Sequence, residues 1–82
     1  LRANAQTRTI SGRVTSPENE ALPGVNVVIK GSTTGTVTKA DGTYQLSVPA
    51  SAKSLVFSFI GYKTADTPID GRSTIDVKLT AD

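Results

Sequence analysis

Leu55-Val56-Phe57-Ser58-Phe59-Ile60-Gly61-Tyr62 decides the fold of this chain. It holds both phenylalanines and one of the two tyrosines. Leu55, Phe57 and Phe59 share one face at the two-residue spacing of a strand that buries one side, and Ser58 lies on the other. Gly61 breaks the run just before Tyr62. The stretch reads as the central strand of a small β-sandwich. Gly61 is expected to bend or bulge the chain so that Tyr62 closes the sandwich edge, its hydroxyl hydrogen-bonded at the rim.

The neighbouring segments carry the same period. Upstream, Thr7 to Thr15 alternates, with Ile10, Gly12 and Val14 on one face and Thr9, Ser11, Arg13 and Thr15 on the other. Gly12 leaves a gap for a neighbouring side chain, or marks a bulge. Ser16 to Glu20 reads as a turn, and Leu22, entering the Pro23-Gly24 turn, as a plug at the end of the sandwich. Val25, Val27 and Ile29 point inward from a second strand over 25–30, with Asn26, Val28 and Lys30 outward. Thr36 to Lys39 reads as a short strand with its threonines outward. Asp41-Gly42 supplies the positive φ of a tight hairpin. Tyr44, Leu46 and Val48 return inward, with Tyr44 and Leu46 expected across the core from the Leu55–Tyr62 strand. After Tyr62, residues 63–69 form a weaker strand that Pro68 assigns to an edge, because proline donates no ladder hydrogen bond. Residues 74–80 make the last strand, with Ile75, Val77 and Leu79 inward and Asp76 and Lys78 outward. Seven short strands between turn signals, and no helical period, imply an all-β, seven-stranded antiparallel Greek-key β-sandwich.

Composition narrows the chemistry. The chain has 82 residues, one domain's worth, with no cysteine and no histidine. That removes thiol nucleophiles, disulfides, sulfur or imidazole metal sites and a Ser-His-Asp triad within these residues. The carboxylates Glu18, Glu20, Asp41, Asp66, Asp70, Asp76 and Asp82 fall mostly in turns, where solvation explains them. Lys30 and Asn26 face outward, which argues against an isopeptide bond, since that bond needs a buried lysine. Nine basic and seven acidic residues give a net charge of +2. The bases are dispersed from Arg2 to Lys78 without interleaved aromatics, which argues against nucleic-acid binding. No apolar run approaches the ~20 residues of a membrane-spanning helix, so these residues are not expected to be membrane-embedded. No residue earns a catalytic, cofactor-binding or metal-binding role, and no cofactor is implied.

Ala3-Asn4-Ala5 places small residues at the spacing a signal peptidase accepts. Residues 1–6 therefore read as a signal-peptide remnant or a disordered N-terminus, residues 7–80 as the sandwich, and residues 81–82 as the start of a linker.

Several segments together resemble one family: Ile10-Ser11-Gly12-Arg13-Val14-Thr15, Ala21-Leu22-Pro23-Gly24-Val25-Asn26-Val27-Val28-Ile29-Lys30-Gly31, Gly35-Thr36-Val37-Thr38, Asp41-Gly42-Thr43-Tyr44 and Val56-Phe57-Ser58-Phe59-Ile60-Gly61-Tyr62. The ordered set is similar to the carboxypeptidase-regulatory-like domain, a transthyretin-like sandwich, in the form of the N-terminal extension of SusC-like, TonB-dependent outer-membrane transporters of Bacteroidetes. The family often carries Thr-Asp-x-Asp/Asn-Gly in its third hairpin. Here Lys39 stands where an aspartate is common, and the one carboxylate left, Asp41, is too few for calcium, which takes about six to eight oxygens.

The resemblance implies a non-catalytic accessory domain at the periplasmic face of the outer membrane. Its partners would be the plug and barrel of the transporter, and TonB or another periplasmic protein, with glycans among the nutrients imported. The alternatives are a carbohydrate-binding or adhesive module, which would need exposed aromatics, and an accessory domain of a secreted carboxypeptidase or hydrolase.

Overall fold

The computed structural model describes residues 7–82, and the signal-peptidase site expected at Ala3-Asn4-Ala5 lies outside the described residues. The alternating segments form β1 (Thr7–Thr15), β2 (Asn26–Ile29), β3 (Gly35–Val37), β4 (Thr43–Pro49), β5 (Ser54–Ser58), β6 (Ala65–Pro68) and β7 (Val77–Lys78). They build a three-stranded sheet, β4-β1-β7, and a four-stranded sheet, β3-β2-β5-β6. The two inner faces bury one continuous apolar core from Ile10 and Val14 through Val25, Val27, Tyr44, Leu55 and Phe57 to Ile75 and Leu79.

The seven strands and the all-β sandwich match the sequence reading. β5 lies inside its sheet, with Phe57 opposite Val27 of β2 and Ala65 of β6. Phe57 meets Tyr44 of the other sheet edge-to-face, ring centroids 5.5 Å apart. β6, carrying Pro68, is an edge strand. Leu22 is buried as part of the core cluster.

Five features differ from the sequence reading. First, β7 runs parallel to β1, pairing Val14 with Val77 and Thr15 with Lys78, whereas every other strand pair is antiparallel. A period of two reports which face a residue occupies and carries no strand direction. The chain reaches β7 from β6 on the opposite sheet, and that crossing sets its direction.

Second, β5 stops at Ser58. The Tyr62 N–H donates to the Phe59 carbonyl at 3.1 Å, so the chain turns there and Phe59 is only half-buried. Third, Val37 is the outward residue of β3, and Thr38 is buried just beyond it. The Thr38 hydroxyl donates to the Leu22 carbonyl at 2.5 Å and accepts from the Val25 N–H at 2.9 Å. Two buried backbone groups are thereby satisfied, each of which would otherwise carry a desolvation penalty. Fourth, the Lys39–Thr43 turn closes locally, but its flanking strands enter different sheets, so it is a corner of the sandwich. Fifth, the phenol bonded to a backbone carbonyl is that of Tyr44. Tyr62 is held by its ring, stacked on Phe59, and by a backbone bridge to Ala81. Two core contributors escape the pattern altogether. Ile69 is buried from a turn, and Ser16 is buried with its hydroxyl accepting the N–H groups of Glu18 and Glu20, each at 3.2 Å.

Candidate interaction surface

The two outer faces differ chemically. That of the three-stranded sheet is polar: β1 presents Thr9, Ser11 and Arg13, and β4 presents Gln45 and Ser47. A groove of about 310 Å³ there is lined by Arg13, Thr15, Asp76, Val77 and Lys78. The face of the four-stranded sheet carries an apolar strip of Val28, Val56 and Val37, the last 54% exposed. A second groove, about 370 Å³, runs beside β3 between Asn26, Val28, Thr33, Gly35, Thr36 and Val37.

β3 also has a free edge. Thr34 and Thr38 turn their backbone groups toward the β2 segment: Ile29 N–H donates to the Thr34 carbonyl, and Thr38 N–H to the Val25 carbonyl, each at 3.0 Å. By alternation, Gly35 and Val37 direct theirs outward, the arrangement an added strand pairs with.

Three of the seven carboxylates, Asp66, Asp41 and Asp76, are engaged by other groups of the chain. Asp66 forms an exposed ion pair with Lys30 at 2.6 Å, reaching diagonally across β5. The Thr43 hydroxyl donates to Asp41 Oδ1 at 2.6 Å and the Thr43 N–H to the same atom at 3.1 Å. These bonds, the hydroxyl first, hold the Asp41 carboxyl below its ordinary pKa, as an Asx-type turn does. Among the described residues, no three acidic side chains group as a metal site would require.

Asp76 does the most structural work of the acidic residues. The Ile75 N–H donates to the Ser11 carbonyl at 2.9 Å, so a regular parallel ladder would next send the Arg13 N–H to the Ile75 carbonyl. Instead Arg13 N–H donates to Asp76 Oδ1 at 2.9 Å, and the Ile75 carbonyl turns inward to accept the Tyr44 hydroxyl at 2.7 Å. Gly12, opposite Tyr44 in the β1–β4 register, leaves the space for this. That substitution of a side chain for a backbone acceptor is why β7 is only two residues long.

Burial pushes the Tyr44 phenol up to about 12, the Asp76 carboxylate adding to the shift and Arg72 opposing it. A phenol raised from 10.0 in the unfolded chain contributes stability that is fully present below pH 10 and is lost as pH rises through the folded value. Urea midpoints followed upward from about pH 9 should therefore fall more steeply for the wild type than for Tyr44→Phe. The difference should approach ~3 kcal/mol near the top of the range. Parallel curves would show that the Tyr44 proton is not coupled to folding.

Relatives of the chain show its family. A receptor from Formosa agariphila, TonB-dependent receptor P26, is 44% identical over 80 residues, covering 98% of this chain. TonB-dependent receptor P39 of the same organism is 40% identical over 79 residues, or 96% of the chain. TonB-dependent receptor SusC of Bacteroides thetaiotaomicron is 41% identical over 76 residues, or 93%. The chain spans only 8% of the length of each of these relatives. Among solved structures, a chain in a type II Cohesin-X-Dockerin complex from Acetivibrio cellulolyticus superposes with a TM-score of 0.63 at 18% identity, over 85% of this chain and 51% of that one. At that identity the likeness concerns the fold alone. Residues 10–82 match the family described as the CarboxypepD_reg-like domain. Taken with relatives that are about 40% identical across nearly its whole length, the match shows that the chain belongs to the CarboxypepD_reg-like domain family, in the branch carried by SusC-like TonB-dependent receptors.

Proposed function

We propose that this chain is a non-catalytic accessory domain of a TonB-dependent outer-membrane transporter, held on the periplasmic side and serving the uptake of nutrients such as glycans. The observation that carries this reading is the identity of about 40% to receptors of which the chain spans 8%. Such a domain works within a larger polypeptide whose remaining parts are its first partners. TonB or another periplasmic protein is the second candidate, and the free β3 edge with its valine strip suits contact with an extended segment.

The chemistry of the chain agrees with a binding role. It contains no histidine or cysteine, Asp41 and Asp76 accept hydrogen bonds from the chain itself, and Asp66 is paired with Lys30. Of the four aromatics, Tyr44 and Phe57 are buried, and Phe59 and Tyr62 stack on one another half-buried against the core, so these last two are the rings that a polysaccharide titration tests.

The test is deletion of this domain from the full-length transporter, reading surface assembly and nutrient uptake separately. Uptake is expected to fall severalfold with the barrel still assembled, and restoration of the domain in trans or in cis should recover it. Assembly and uptake both unchanged would reduce the domain to a spacer. Micromolar binding of a polysaccharide by the isolated domain would favour a carbohydrate-binding module instead.

A further inference from the structure

Ile60 is 91% exposed, the most exposed large apolar residue described. It sits at the tip of the turn that the Tyr62 N–H and Phe59 carbonyl close, next to Gly61 at φ 86°. The turn needs its glycine for that φ, but nothing in its geometry calls for an isoleucine. Below the tip, the rings of Phe59 and Tyr62 stack 5.9 Å apart, each half-buried against the core. Phe59 also reaches the Pro23-Gly24 turn, where a Cβ at Gly24 would lie 3.7 Å from its ring. Isolated surface hydrophobes are ordinary, but Ile60 stands on the same turn as two half-buried rings, and three apolar side chains at one turn form a patch that asks for a cover.

The backbone shows what arrives there. The Lys63 N–H donates to the Thr80 carbonyl at 2.8 Å, Tyr62 and Ala81 form an antiparallel bridge, and the Asp82 N–H donates to the Gly61 carbonyl at 3.1 Å. Residues 80–82 thus run along residues 61–63 and deliver whatever follows Asp82 beside Ile60. In relatives of which this chain spans only 8%, far more polypeptide is present than the sandwich itself.

We infer that the Phe59–Ile60–Tyr62 patch is the seat of the segment that follows Asp82, which packs an apolar side chain on Ile60 and extends the pairing already made by residues 80–82. The inference rests on the reading of this chain as an accessory domain that continues into a transporter. Its consequence is mechanical: the sandwich is clamped to the next segment and does not swing on a free tether, so a pull on that segment is felt by the domain.

Amide hydrogen exchange of the full-length protein, read by mass spectrometry, tests the inference. In the wild type, the first residues after Asp82 are expected to exchange at least ~10-fold more slowly than an unstructured chain of the same sequence. Ile60→Asp and Ile60→Thr should both remove that protection, whereas Ile60→Val should keep it. Amides of β1, β2 and β5 should be unchanged in all three, because Ile60 lies outside the core. An unprotected segment in the wild type would overturn the inference. So would protection that survives Ile60→Asp, or that appears only when a second protein is added. The exchange readout does not depend on uptake. Domain deletion that left transport unchanged would remove the transporter role without touching the docking, so the two failures are distinguishable.

Discussion

Gly12→Ala is expected to destabilise the domain by ~3 kcal/mol or more, read as a strongly lowered midpoint in equilibrium urea titrations. The ordinary expectation has the opposite sign. Gly12 lies in the middle of β1 and its φ is not positive, so propensity alone would favour alanine by roughly 0.5–1 kcal/mol. Space decides instead. A Cβ at Gly12 would lie 1.8 Å from the Ile75 carbonyl oxygen and 3.0 Å from the Tyr44 ring. The oxygen is backbone and is pinned by the Tyr44 hydroxyl, while the Ile75 N–H is bonded to the Ser11 carbonyl. Relief therefore requires β7 to leave β1, which breaks the parallel pairing, exposes Ile75 and Val77, and orphans the Arg13–Asp76 bond. A neutral or stabilising Gly12→Ala would mean that the Ile75 carbonyl can turn away at little cost.

Phe57→Ala comes second, with an expected loss of ~3–5 kcal/mol from transfer and cavity effects together. Phe57 is completely buried, is flanked by Val27 and Ala65 in its own sheet, and meets Tyr44 edge-to-face across the core. The aromatic pair adds ~0.5–1.5 kcal/mol beyond area. An 82-residue domain has a total stability of ~4–12 kcal/mol. The alanine variant should consequently lose a large share of that stability and melt far below the wild type, whereas Phe57→Leu, which keeps most of the volume, should melt between the two. Thermal melts of the two variants check this ordering. Equal melting temperatures for wild type and Phe57→Ala would mean that β5 is not the centre of the core.

These two residues also differ in how visible they were before folding. Phe57 is legible: it sits at period two with Leu55, in a chain short of aromatics. Gly12 is legible as a gap in an alternating strand, but what fills the gap lies more than sixty positions away at Ile75. The interaction surface divides in the same manner. Lys30, Val28 and Asn26 are outward by alternation, and the structure places them outward. The half-buried position of Phe59 is not legible, because a residue just past the end of a strand keeps the strand's alternation, whereas the edge position of Tyr62 follows from the break at Gly61. Membership of the CarboxypepD_reg-like domain family lies further still from local pattern. It is carried by the order of several short motifs, none of which has a chemical function by itself.

From the sequence alone follow the seven alternating segments, the turns at Asp41-Gly42 and Gly61, the edge position of β6, and the absence of histidine and cysteine chemistry. Each depends on residues within a few positions of one another, on local φ preferences and on which face a side chain takes. Tertiary structure alone decided the parallel course of β7, the inward Thr38, the Ile75 carbonyl turned onto Tyr44, and the Phe59–Ile60–Tyr62 patch beside the exit of the chain. The physical reason is common to all of them. Alternation specifies a face, but strand direction, neighbour and the destination of each backbone hydrogen bond are settled only when distant segments compete for the same core and the same acceptors.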